Sequence, residues 1–186
     1  MTLTALLLAG GESRRMGRDK ATIEFDGQPL WMRQLRILRD LAPKKIFVSA
    51  RTQPLWLPDD AGLLLDDPPS RGPLSGLTKA LEQMQTTHLV ALAVDMPFMT
   101  ADQLHVLCSL AGEGRGVVPT IGEQAEPLAA IYSRESALDF AAALAGHDFS
   151  MQKLVRELTA AGKARLFPVS PKDEYSYRSV NAPEDL

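Results

Sequence analysis

Leu3-Thr4-Ala5-Leu6-Leu7-Leu8-Ala9-Gly10-Gly11 is a continuous apolar run closed by two glycines. A strand with one wet face alternates apolar and polar side chains, so an unbroken run marks a strand covered on both faces. The pattern returns more strongly in Leu89-Val90-Ala91-Leu92-Ala93-Val94, which ends on Asp95-Met96-Pro97. Two further short runs, at residues 45–50 and 62–65, read as strands, the second running out into Asp66-Asp67. Segments of helical spacing lie between them. Trp31, Leu35, Leu38 and Ala42 fall on one stripe, with Pro29 at the helix start and Pro43 just past its end. Leu77, Ala80, Leu81 and Met84 form a second stripe, and residues 101–110 a third helix. Strands at 116–119, 128–132 and 165–169 and helices at 133–145 and 151–161 complete the pattern. Strand followed by helix, repeated, predicts an α/β domain: a mostly parallel sheet with helices on both faces and right-handed crossovers. With no repeat or linker to divide it, one domain is expected over residues 1–186.

Composition narrows the function. The chain has 45% hydrophobic residues, enough for a core, and 20 Lys plus Arg against 23 Asp plus Glu leave a net charge of −3. General nucleic-acid or membrane-surface binders are usually basic, so neither partner is expected. The single cysteine, Cys108, excludes an intrachain disulfide, and His88, His105 and His147 are too scattered for a zinc cluster. The N-terminal apolar run lacks a basic leader and stops well short of a membrane span. A soluble cytoplasmic protein is the expectation.

In open parallel sheets, ligands bind beyond the carboxyl ends of the strands. The first strand empties into Gly10-Gly11-Glu12-Ser13-Arg14-Arg15-Met16-Gly17-Arg18-Asp19-Lys20, where three glycines and four cations share eleven residues. Glycines admit an anion close to backbone N–H groups and the cations neutralise it, which suits a polyphosphate. A solvated basic turn is the alternative. The segment is neither a Walker A loop nor Gly-x-Gly-x-x-Gly, and the latter absence argues against a dinucleotide-dependent oxidoreductase. Asp95 directly follows the strongest strand, so its carboxylate belongs at the sheet's carboxyl edge, where it suits Mg2+ shared with phosphate oxygens. Asp67 lies after the third strand and fits a ligand role and a turn-capping role equally.

The stretch from Leu8 to Ala21 resembles the opening motif of the molybdenum cofactor guanylyltransferases, Leu-Ala-Gly-Gly-x-Ser-x-Arg-Met-Gly-x-Asp-Lys. Gly27-Gln28-Pro29-Leu30, Asp66-Asp67, Arg71-Gly72-Pro73-Leu74-Ser75-Gly76, Asp95-Met96-Pro97, Glu126-Pro127-Leu128 and Val180-Asn181-Ala182-Pro183 follow in the family's order, so the resemblance spans the chain. It implies a Rossmann-like nucleotidyltransferase that uses Mg2+ and GTP to attach GMP to molybdopterin or its molybdenum-loaded form, with transient contacts to cofactor-biosynthesis proteins or molybdoenzymes. The same chemistry with CTP or another phosphorylated acceptor is the alternative. On this likeness the nucleotide is held by Leu8, Ala9, Gly10, Gly11, Lys20, Ser49, Asp67, Gly72, Pro73, Leu74 and Asp95. Arg15, Lys20 and Asp95 are the catalytic candidates, and Asp95 is the metal ligand.

Two features depart from the family pattern. Ser49 stands where an Asn often helps bind guanine, and the chain ends at Leu186 where the family commonly continues into a helix. Asn181 fits an acceptor-side role and a structural turn equally. Of the two tryptophans, Trp31 has helix-core spacing and Trp56 sits in a Pro-bounded loop; both are candidates for stacking on a pterin. Cys108 reads as a core residue, and His88 carries no role.

Overall fold

The computed structural model describes residues 1–10, 19–67 and 69–180. The central sheet is laid out from β1 (Leu3–Leu8). It is flanked on one side by β4 (Lys45–Ala50) and then β5 (Ala61–Leu65). On the other side come β6 (His88–Ala93), β9 (Ala129–Ser133), β7 (Gly116–Ile121) and β10 (Ala164–Pro168). A two-residue strand, β8 (Gln124–Ala125), folds back on β7. The chain thus moves outward from β1 to β5 and then returns across β1 to β6, and that reversal opens a crevice beyond the strands' carboxyl ends.

Unbroken apolar strands are explained by helices on both faces. Ala5, Leu7, Ile46, Val48, Val90 and Leu92 pack against α1 (Leu30–Asp40) and α3 (Ala101–Leu110). Their neighbours Leu6, Leu8, Phe47, Leu89 and Ala91 point the other way, against α2 (Pro73–Gln83), α4 (Ala137–Ala145) and α5 (Met151–Ala160). Period-two geometry therefore splits each run between two cores, each fully buried leucine contributing about 1.5–3 kcal/mol.

The expected elements are present, in the mostly parallel sheet that was expected, and the antiparallel strand in its middle is β9. β9 runs antiparallel to both β6 and β7. The link from Ile121 to Ala129 is far shorter than the dozen or so residues a parallel crossover needs, so the chain doubles back and slots between its neighbours. Gly116 permits the tight fit, since a Cβ there would lie 2.2 Å from the Ile131 carbonyl oxygen. A small hairpin precedes α1: β2 (Glu24–Phe25) and β3 (Gln28–Pro29) are joined by Asp26-Gly27, both at positive φ, as an Asp-Gly hairpin turn requires. Among the described residues, no helix is long and apolar enough to cross a membrane.

Candidate active site

The carboxyl ends of β1, β4, β5 and β6 converge on a cleft walled by Leu8, Ala9, Gly10, Lys20, Ser49, Asp66, Gly72, Pro73 and Asp95. Lys20 and Asp95 meet in it: the Lys20 ammonium donates to Asp95 Oδ2 at 3.1 Å and to the Val180 carbonyl oxygen at 3.3 Å. Their side chains are 15% and 24% exposed, so the pair faces the cleft while partly withdrawn from water. The Asp95-Met96-Pro97 turn is braced by α1, whose Gln34 amide donates to the Met96 carbonyl and whose Arg33 donates to that of Pro97, each at 2.6 Å. From the other side, the Val180 amide donates to the Asp95 carbonyl at 2.7 Å. The Asp95 carboxylate thus sits on a turn fixed from two directions. Gly11 and Arg15 lie outside the described residues, as does Asn181.

Across the cleft the acidic residue is Asp66. Its amide extends the β4–β5 ladder by donating to the Ala50 carbonyl at 3.0 Å, which gives its side chain the parity of buried Leu64. Ser49 donates to Asp66 Oδ1 at 3.4 Å, and Ser70 donates to Oδ2 at 3.1 Å. Asp67 has the opposite parity: it pairs with Lys79 at 2.8 Å, is 84% exposed, and does not line the cleft. Of the two, the structure places Asp66 on the cleft wall and leaves Asp67 in the turn position that the sequence allowed equally. Strand alternation, counted from Leu64, was the signal that could have separated the two.

Ser49 is buried at the cleft floor, its hydroxyl turned to Asp66 and its other side against α2. A Cβ on Gly76 would fall 2.2 Å from Ser49 Oγ, so this glycine admits the contact. Gly72 precedes α2 at φ 65°, ψ −149°, a conformation that favours glycine, and with Pro73 it forms the opposite lip of the cleft. Leu74 turns its side chain into the α2-side core instead, away from the cleft, because it opens the helix's apolar stripe. Arg71 also points elsewhere, donating to the Leu144 carbonyl at the end of α4 and lying over the Phe149 ring.

A second concavity adjoins the first through Asp95 and is bordered by Gln124, Glu126, Gln152, Tyr177 and Ser179. Among the described residues the buried Tyr177 hydroxyl has no hydrogen-bond partner, and burial, aided by nearby Asp173 and Glu126, pushes its pKa up to about 12. Burial alone raises the Glu126 carboxyl above its usual range. The folded chain therefore keeps that proton to higher pH than the unfolded chain, and stability falls as pH rises through the carboxylate range. Glu126→Gln is expected to raise the melting temperature at pH 7.5 by about 2 °C, a gain that shrinks as pH falls below the ordinary carboxylate range and the unfolded chain takes up the same proton. A melting shift that stays equal as the pH falls would refute this.

Remaining candidates take structural places. Trp31 and Trp56 stack on each other with centroids 5.3 Å apart and planes 13° apart. Burial pushes the Cys108 thiol up to about 11, which leaves it protonated at neutral pH. His88 is buried between Thr87 Oγ1 and the Gly112 carbonyl. Among the described residues no group of three or more His, Cys, Asp or Glu is placed to hold a metal by itself.

Comparison with known proteins places this geometry in a family. Residues 5–164 match the MobA-like NTP transferase domain. The chain is 32% identical to the probable molybdenum cofactor guanylyltransferase of Opitutus terrae, covering 98% of this chain and 92% of that one. It is 35% identical to the molybdenum cofactor guanylyltransferase of Cereibacter sphaeroides, covering 100% and 94%. Its fold superposes on molybdopterin-guanine dinucleotide biosynthesis protein A from Archaeoglobus fulgidus with a TM-score of 0.71, at 23% identity over 98% of this chain and 94% of that one. With the cleft at the carboxyl edge of a mostly parallel sheet and the match running through both of its walls, the chain belongs to the MobA-like NTP transferase family.

Proposed function

We propose that this protein transfers GMP from GTP to the terminal phosphate of molybdopterin or its molybdenum-loaded form and releases pyrophosphate. The observation that carries this reading is the Lys20–Asp95 pair on a braced turn, facing Asp66 and the Gly72-Pro73 lip across one cleft. In such a transfer the acceptor phosphate attacks the α-phosphorus of the nucleotide while pyrophosphate leaves in line. The attacking phosphate is already anionic near neutral pH, so the protein's task is positioning and charge neutralisation and needs no general base. The Lys20 ammonium, fixed by Asp95 and the Val180 carbonyl, neutralises phosphate charge as it shifts to the leaving group. Arg15, a second catalytic cation on the sequence likeness, would add to that neutralisation. The Gly72-Pro73 lip and the Ser49 floor receive the base, and the adjoining concavity along Glu126 and Tyr177 receives the acceptor, with Asp95 at the junction.

A divalent cation fits this donor set. Mg2+ takes one or two protein carboxylates and completes its shell with phosphate and water oxygens, so a cleft with Asp95 and Asp66, and no third acidic or imidazole group among the described residues, is suited to an ion that arrives with the nucleotide. Asp95 would hold it; the ion would supply charge neutralisation for the triphosphate.

Base choice is the most demanding part of the reading. Gly10 keeps the wall beside Asp66 open, since a Cβ there would approach Asp66 Oδ2 to 3.3 Å. Competition of GTP and CTP for molybdopterin in one reaction is expected to yield mainly the guanine dinucleotide, with at least about a tenfold preference. Cytidine dinucleotide as the main product would overturn guanylyl specificity and leave nucleotidyl transfer standing. Pyrophosphate release from neither nucleotide would overturn both.

A further inference from the structure

We infer that Trp56, held flat against Trp31, is a positioning residue that acts through Asp19 to fix Lys20 in the cleft. The two oxygens of Asp19 do different jobs: Oδ2 accepts the Trp56 indole N–H at 2.9 Å, and Oδ1 accepts the Ala21 amide at 3.0 Å. The second bond caps the short 3-10 turn Lys20–Thr22, and the Thr22 hydroxyl donates to the Asp19 carbonyl at 2.8 Å. Lys20 therefore leaves the backbone one residue beyond a carboxylate clamped between an indole and its own turn. From there its ammonium reaches Asp95 and the Val180 carbonyl. Trp56 itself comes from the connection that leaves the carboxyl end of β4 and leads to β5. Its orientation is set by the ring stack on Trp31 of α1, the helix that also braces the Asp95 turn. One helix thus anchors both halves of the Lys20–Asp95 pair. A small displacement of a charge that must meet developing charge is costly in rate, which makes this remote bond matter.

The inference rests on Lys20 serving the proposed transfer, so its test has one arm that needs no turnover. Trp56→Phe keeps an aromatic ring for Trp31 but removes the N–H donor. Asp19→Asn leaves one acceptor oxygen where two are used. Each is expected to lower kcat/KM about tenfold with the melting temperature held within about 2 °C, and the double variant is expected to be no worse than the poorer single one. In the Lys20→Ala background, Trp56→Phe is expected to change nothing, which a general structural defect would not reproduce. Without substrates, acetylation of Lys20 by acetic anhydride, followed by peptide mass spectrometry, is expected to quicken several-fold in both single variants while exposed Lys44 reacts as before. Unchanged Lys20 acetylation in both would overturn the clamp, as would an undiminished Trp56→Phe effect in the Lys20→Ala background. If the unaltered protein makes no dinucleotide while Lys20 acetylation responds as expected, the clamp stands and the transferase reading falls.

Discussion

Lys20→Ala is expected to lower the rate of the proposed guanylyl transfer by about a hundredfold or more while leaving the fold intact. The reason is the placement of the charge. Lys20 is 15% exposed, bonded at 3.1 Å to Asp95, and directed into the cleft between the Gly10 and Gly72 walls. A cation preorganised there stabilises charge shifting onto pyrophosphate without reorganising at the moment of reaction, and loss of one such contact typically costs on the order of a hundredfold to a thousandfold. Stability should barely respond, because the side chain belongs to neither apolar core and a part-exposed ion pair contributes little. The measurement is single-turnover pyrophosphate release beside a melting curve. Turnover near that of the unaltered protein would make Lys20 a partner of Asp95 and nothing more. Lys20→Arg is expected to recover only part of the rate, since the planar guanidinium cannot replace a compact ammonium between Asp95 and the Val180 carbonyl.

How much of this arrangement was legible in the chain follows from which forces act locally. The buried strands announced themselves because covering both faces of a sheet demands unbroken apolar runs, and Leu3–Leu8 and His88–Ala93 are such runs. Asp95 was legible for the same reason: it is the first polar side chain after the strongest run. Strand direction was a different matter. Composition does not distinguish an antiparallel β9 from a parallel one; the information lay in the short connection after Ile121. The choice between Asp66 and Asp67 depended on the parity of a β5 strand whose exposed Leu65 and buried Leu64 look alike in sequence. Leu74 was drawn into the site by its motif neighbours, yet its place on the α2 stripe sends it to the core. The Trp56–Asp19 bond had no local signal at all. It joins residues 37 positions apart through a loop oriented by a ring stack, a relation that only tertiary packing creates.

Asp95→Asn is expected to lower Mg2+-supported transfer by at least about a hundredfold, again in a folded protein. The amide preserves the size of the side chain and the backbone contacts of its turn. The bonds from Gln34 to the Met96 carbonyl, from Arg33 to that of Pro97, and from Val180 to that of Asp95 all involve main-chain oxygens that the substitution leaves in place. What disappears is a negative charge at the junction of the two concavities. Two consequences reinforce each other there. A neutral amide is a poor ligand for a hard cation that prefers carboxylate oxygen, so the ion that would accompany the triphosphate loses its protein anchor. Lys20 also loses the charged half of its 3.1 Å contact, which frees the ammonium from the position in which it meets the phosphates. The first effect is partly recoverable by mass action and the second is not, so a Mg2+ titration separates them: activity that climbs with Mg2+ but levels off below that of the unaltered protein is the expected result. Full activity at ordinary Mg2+ would reduce Asp95 to a turn residue and remove it from the site. Complete recovery at high Mg2+ would leave it as an ion anchor with no part in holding Lys20.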